Sequence, residues 1–149
     1  MNTEELIDIK TEEWESLINI TDIVRDRVLK SGTQYGMVLI YCLHTTAGLR
    51  ILENEQLLLK DIQNFLERQA PSTIHYLHDD LHKRMVPDHE RINGHSHLKS
   101  LLLNTSEYVP ITSGKLLLGT WQKIFFIECD PGRERKIFIK VVDDEAKHL

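Results

Sequence analysis

The run Gly36-Met37-Val38-Leu39-Ile40-Tyr41-Cys42-Leu43 constrains the fold more than any other stretch. It carries no charge and is too short for a stable helix, but it suits a strand buried on both faces. Such a strand needs partners, and the chain supplies them later. Tyr108 to Thr112, Lys115 to Leu118, Trp121 to Cys129 and Lys136 to Val142 read as further strands. Ser113-Gly114, Gly119-Thr120 and Pro131-Gly132 separate them, because glycine and proline supply the backbone angles that turns require. Near the N-terminus, Leu6, Ile7 and Ile9 open one strand-like run and Trp14 to Ile20 give another. Thr11-Glu12-Glu13 between them fits a hairpin turn.

Helices are fewer. Thr21 fits an N-cap, Asp22 suits the positive helix start, and Val24 and Val28 share a face, so a helix is expected over Asp22 to Ser31 with Gly32 as its stop. Leu58, Ile62, Phe65 and Leu66 recur at three and four residues, which predicts a helix from Glu53 to Gln69 ended by Pro71. Ser96 can cap a third, carrying Leu98, Leu101 and Leu102 and ending near Asn104. Six or seven strands and three helices without repeat or linker predict a single α+β domain over residues 1–149, with mainly antiparallel pairing.

Charge narrows the partners. The net charge is −5 and the pI near 5.9, without a block of like charge, so a nucleic-acid partner is not expected. Met1 is followed by Asn2, Thr3, Glu4 and Glu5 rather than an apolar leader, and no uncharged apolar run approaches the roughly 18 residues of a membrane span. A cytoplasmic protein with no membrane partner is the expectation. Cys42 and Cys129 lie in apolar runs and read as buried, reduced thiols.

Six of the eight histidines fall between His75 and His97, in a polar stretch with no core-forming period. His78-Asp79-Asp80-Leu81-His82 has the spacing of a zinc-protease helix, but Asp79 is shorter than the glutamate such a site needs, and Pro87 soon ends any helix. His95 and His97 would share a face on a strand, but point about 200° apart on a helix. His97 in a helix's first turn, with Lys99 close by, could instead hold a phosphate. His44 ends the apolar run Gly36–Leu43 and opens the hydroxyl-rich turn Thr45-Thr46-Ala47-Gly48, a common way to present side chains at a strand end. Three neutral imidazoles, His44, His78 and His97, would suit a zinc-like metal with an open position. Asp79, Asp80 and Glu128 are possible proton carriers. Glu53 and Asn54 sit at a helix start, and Trp121 could stack a heteroaromatic ligand or pack in the core.

His44-Thr45-Thr46-Ala47-Gly48, Glu53-Asn54, His78-Asp79, Asn93-Gly94-His95-Ser96-His97-Leu98-Lys99 and Leu118-Gly119-Thr120-Trp121-Gln122 together resemble the YjbQ family, in order along nearly the whole chain. The resemblance implies a homotrimeric α+β domain with polar sites near subunit interfaces. It also implies a secondary thiamine-phosphate synthase activity, joining a pyrimidine diphosphate to a thiazole phosphate. In that reading His44, His78 and His97 hold a divalent metal, Glu53, Asp79 or Glu128 handles protons, and Thr45, Asn54, Lys99, Trp121 and Gln122 contact a small phosphorylated metabolite. Histidines favour a zinc-like ion, whereas diphosphate chemistry usually recruits Mg²⁺ through carboxylates. A metal-dependent hydrolase and a non-enzymatic metal- or phosphate-binding trimer are the alternatives.

Overall fold

Two antiparallel sheets and three α-helices take up the apolar runs. The computed structural model describes residues 2–13 and 16–144. The strands are β1 (Thr3–Lys10), β2 (Leu17–Asn19), β3 (Tyr35–Cys42), β4 (Ala47–Leu52), β5 (Ser106–Thr112), β6 (Lys115–Leu116), β7 (Lys123–Glu128) and β8 (Glu134–Asp143). The helices are α1 (Thr21–Ser31), α2 (Gln56–Gln69) and α3 (Gly94–Ser100). One sheet runs β1-β8-β3-β5-β6 and the other β2-β7-β4. The α+β class with antiparallel pairing is as the sequence predicts.

The two sheets share a core with α1. Val38, Ile40 and Cys42 of β3, Ile137, Ile139 and Val141 of β8, and Val109 and Ile111 of β5 meet Leu49 of β4, Ile124 and Phe126 of β7, and Val24 and Val28 of α1. A second cluster lies across β7, where Phe125, Ile127 and Cys129 pack with Leu66 and, less deeply, Leu59 and Ile62 of α2. The doubly buried strand is therefore β7, whose Ile124-Phe125-Phe126-Ile127 is fully apolar because neither face meets water.

The expectation for β3 is corrected accordingly. One face of β3 is buried, but Met37 is 42% exposed and Tyr41 41%. Register sets Leu39 opposite Tyr108 of β5, and Met37 and Tyr41 opposite Val142 and Phe138 of β8. The outward face of the larger sheet thus carries an apolar patch, with Lys136 and Lys140 of β8 on the same face. Its residues hide the two-residue alternation that normally marks a half-buried strand.

The N-terminal hairpin does not form. β1 pairs with β8 in one sheet and β2 with β7 in the other, so the chain crosses between sheets rather than folding back. Trp14, the expected start of the second strand, lies outside the described residues. Thr21 is not a side-chain cap: its hydroxyl donates to Asn19 Oδ1 at 2.6 Å and accepts from the Ile124 amide at 2.8 Å, tying α1 to β7. Gly32 does end α1, at φ 71°. Helix α2 starts at Gln56 rather than Glu53, because the Glu55 carboxylate accepts from the amides of Leu57 and Leu58. Ala47-Gly48, expected as part of a turn, opens β4 instead.

Candidate functional site

Strand register assembles one end of the molecule. β3 and β8 pair Cys42 with Ile137, so the next residues along each strand bring His44 beside Arg135. The Lys136 amide donates to His44 Nε2 at 2.8 Å. β4 and β7 pair Ala47 with Glu128, and the Cys129 amide donates to the Thr46 carbonyl just beyond. The Glu128 carboxylate, wholly buried, receives Arg135 Nε at 2.6 Å, the Thr46 hydroxyl at 2.7 Å and the Asp130 amide at 2.9 Å. Arg135 Nη2 donates in turn to Thr46 Oγ1 at 2.8 Å. A buried carboxylate is tolerable only when paired and hydrogen-bonded, and here both of its oxygens are engaged. Glu128 therefore aims Arg135.

The long loop between α2 and α3 closes over this end. The His78–His82 stretch, whose zinc-helix spacing the sequence argues against, forms two short 3₁₀ turns, Leu77–Asp79 and Leu81–Lys83. Asp79 accepts from the Tyr76 amide at 3.2 Å and from the Gly94 amide at 3.0 Å, clamping the loop to the start of α3. Gly94 is required there by close approach. A Cβ would lie 2.8 Å from Tyr76 Cβ and 2.9 Å from Asp79 Oδ1. The clamp brings His78 against His97, with ring centroids 4.5 Å apart and a tilt of 51°.

These elements enclose a pocket of about 360 Å³ lined by His44, Thr45, Thr46, His78, Arg84, Glu90, Asn93, His97, Arg133 and Arg135, with Leu43 at its edge. Arg84 Nη1 donates to the His78 carbonyl at 2.8 Å, and Arg84 has no carboxylate partner among the described residues. Arg133 donates to Asp130 at 2.7 Å. Burial works against the Asp130 carboxylate, but hydrogen bonds from Arg133, Asn93 and Arg91 outweigh it and hold its pKa below the usual value. Burial, then the Arg135 charge, lowers the pKa of His44, and burial, then His78 and Arg84, lowers that of His97. Each shift favours the neutral ring. The pocket joins three guanidinium groups to three imidazoles, with Glu90 as the opposing carboxylate. Such an arrangement can grip an anion and accept a proton beside it.

The other expected site residues divide by position. Thr45 lines the pocket, and its carbonyl accepts from Ser100 Oγ. Lys99 does not reach it. Buried on the other side of α3, its Nζ donates to Glu67 at 2.6 Å and lies 3.3 Å from His95 Nδ1. Glu53 and Asn54 are exposed beyond Leu52, at the far end of β4, about 16 Å along a six-residue strand. Exposed Trp121 and Gln122 precede Lys123, which pairs with Leu52, so they share that distant end. His75 pairs with Asp80 at the surface, and His82 and His89 are exposed. Reasoning from the sequence missed Arg84, Glu90, Asn93, Arg133 and Arg135. Only Asn93 carried a signal, as part of the Asn93-Gly94 pair.

A metal does not fit the histidines. Since an amide can only donate, the Lys136 contact uses the Nε2 lone pair of His44 and leaves the proton of the neutral ring on Nδ1, where Arg135 Nη1 lies at 3.5 Å. Neither nitrogen can coordinate an ion. Among the described residues no three His, Cys, Asp or Glu side chains form a group that could hold one. The metal-binding expectation for His44, His78 and His97 is corrected on these grounds. Cys42 and Cys129 are buried and reduced, and burial pushes the Cys129 thiol up to about 12, so neither is a nucleophile. No helix among the described residues is long and apolar enough to cross a membrane.

Known proteins resemble this chain along most of its length. The sequence model of the UPF0047 protein YjbQ-like family matches residues 5–144. A UPF0047 protein of Archaeoglobus fulgidus is 42% identical over 134 residues, 90% of this chain and 97% of its own. The UPF0047 protein YugU of Bacillus subtilis is 34% identical over 91% of this chain and 96% of its own. A solved YbjQ-like protein of unknown function from Sulfolobus solfataricus P2 superposes with a TM-score of 0.86 at 30% identity, covering 97% of this chain and 99% of its own. The names of these relatives assign no reaction. With the metal-binding group absent among the described residues, the thiamine-phosphate synthase and transferase expectation is withdrawn, as are its metal-dependent alternatives. What the sequence, the fold and the relatives agree on is membership: the chain belongs to the UPF0047 family of YjbQ-like proteins.

Proposed function

We propose that the protein binds a small phosphorylated metabolite in the pocket between the β3 end, the β8 start and α3. One observation carries this reading: Arg84, Arg133 and Arg135 converge from two separate segments on one 360 Å³ cavity, and Arg84 has no carboxylate partner among the described residues. A carboxylate can be held by a single guanidinium fork, whereas several forks around one cavity match the oxygens of a phosphoryl group. The volume suits a metabolite, and neutral His44 and His97 add donors without adding charge.

Calorimetric titration with inorganic phosphate tests the reading. Arg84→Gln is expected to weaken binding at least tenfold, about 1.4 kcal/mol, while unfolding stability stays within about 0.5 kcal/mol. Undiminished phosphate affinity in that variant sinks the assignment.

The same reading includes self-association as a homotrimer. The outward face of the larger sheet, with Tyr108 61% exposed beside Met37 and Tyr41, supports it, because an apolar face of this kind usually marks a contact. Next to the polar pocket, Tyr41, Leu43, Leu98 and Leu101 line a wider groove that shares His44 and His97 with it. Light scattering at micromolar concentration should return three times the chain mass; a monomer mass refutes the assembly.

A further inference from the structure

We propose that Glu90 makes the pocket select a phosphoryl group that still carries a proton, so that it takes phosphate or a phosphate monoester and rejects sulfate and sulfate esters. This selectivity rests on the phosphate-binding reading above and adds the protonation state of the anion. It comes from one juxtaposition. Arg84 and Glu90 line the same cavity, yet they do not pair with each other, and neither has another ion-pair partner among the described residues.

Glu90 is half-buried, so water still reaches it from the cavity it lines. The chain just beyond it is held down, since Arg91 and Asn93 both donate to Asp130. The Glu90 amide is used on the Pro87 carbonyl at 3.1 Å, but its carboxylate has no hydrogen bond among the described residues. Both unpaired charges bear on the His97 ring. Burial first, then His78 and Arg84, lower the pKa of that ring, and Asp130 and Glu90 raise it. The other two guanidinium groups already have carboxylates, Arg133 with Asp130 and Arg135 with Glu128.

An unpaired guanidinium and an unpaired carboxylate in one cavity set two demands on a ligand. It must offer an acceptor to Arg84 and a donor to Glu90. A protonated phosphoryl group offers both, P–O⁻ to the guanidinium and P–OH to the carboxylate. The second ionisation of a phosphate monoester falls at about 6, so the proton is held at small cost near neutrality. Sulfate offers acceptors alone. One of its oxygens would meet the Glu90 carboxylate with no proton between them, a repulsive contact of the kind that rejects a wrong ligand.

Inorganic phosphate and sulfate, titrated into the wild-type protein by calorimetry at pH 7 and equal ionic strength, make the test. Every phosphate species at that pH keeps an O–H, and sulfate has none. Phosphate is expected to bind at least tenfold more tightly. A smaller preference, with phosphate binding, overturns this inference and leaves the phosphate reading standing. Absence of phosphate binding at about 10 mM removes the phosphate reading and this inference with it. In Glu90→Gln, whose carboxamide can donate to an oxyanion, sulfate should gain and the preference should fall at least fivefold, with unfolding stability unchanged. A preference that persists in that variant overturns the role given to Glu90.

Discussion

The two sides of α3 each hold a cation paired with a carboxylate, yet the two pairs leave different donors free. On the pocket side, Glu128 is wholly buried and Arg135 gives it one nitrogen, gives another to Thr46, and still lines the cavity. On the other side, Lys99 is spent on Glu67 and stands against the His95 ring. A planar guanidinium has five donors and can serve structure and ligand together, whereas an ammonium has three on one point. Charge near a pocket is therefore a poor guide to binding. The donors left over after internal pairing are what a ligand can use.

Removing the carboxylate on the pocket side should have the largest effect. Glu128→Ala leaves the Arg135 charge without its buried partner, and a loss of about 3–5 kcal/mol is expected by denaturant unfolding. A loss under 1 kcal/mol would mean that the Glu128 network is dispensable and that the contrast with Lys99 is false.

Gly94→Ala probes the clamp that joins the loop to α3. The new methyl meets Tyr76 Cβ and Asp79 Oδ1 below normal contact, so a cost of about 1–3 kcal/mol is expected, with phosphate affinity reduced as His78 shifts from His97. Full affinity in the folded variant would show that the clamp does not position the site.

The smallest effect belongs to the other side. Lys99→Met should cost about 1 kcal/mol or less, since Glu67 is 44% exposed and water screens the pair, and phosphate binding should be untouched. Its signature is in pH. Burial raises the Glu67 pKa, but hydrogen bonds from Lys99 and Ser72 outweigh this and bring it to about 2, below its ordinary 4.5. A depressed carboxylate contributes stability that is complete above the unfolded value and is lost as pH falls from 4.5 toward 2. Acid titration of stability should be shallower over that window in Lys99→Met than in the wild type. An identical acid profile would sever Lys99 from Glu67.

Some of the site was legible in the chain and some was not. His44 was, because a buried strand ending in a hydroxyl-rich turn is local information. The separation of Lys99 from His97 was also available: residues two apart on a helix point about 200° from each other, while His95 and Lys99, four apart, share a side. The three arginines were not visible, since arginine is common on surfaces and none of the three has a telling neighbour. Arg135 acquires its place only because antiparallel register sets it beside His44. The mistaken hairpin has a similar cause, as turn residues do not record which sheet the next strand will join. At β3, an outward face lined with Met37, Leu39 and Tyr41 imitated a buried one.

Taken alone, the sequence determined the elements and the class: apolar runs of strand length, helix stops at Gly32 and Pro71, and motifs enough for the YjbQ resemblance. These follow from residue periodicity and backbone preference, which act over a few positions. Tertiary structure decided where the histidines stand and what they touch. Pairing across β3 and β8 uses the lone pair of His44 on the Lys136 amide, and the Asp79 clamp sets His78 on His97. The result is an arginine-lined pocket in which His44 is already hydrogen-bonded to a neighbour far away in sequence.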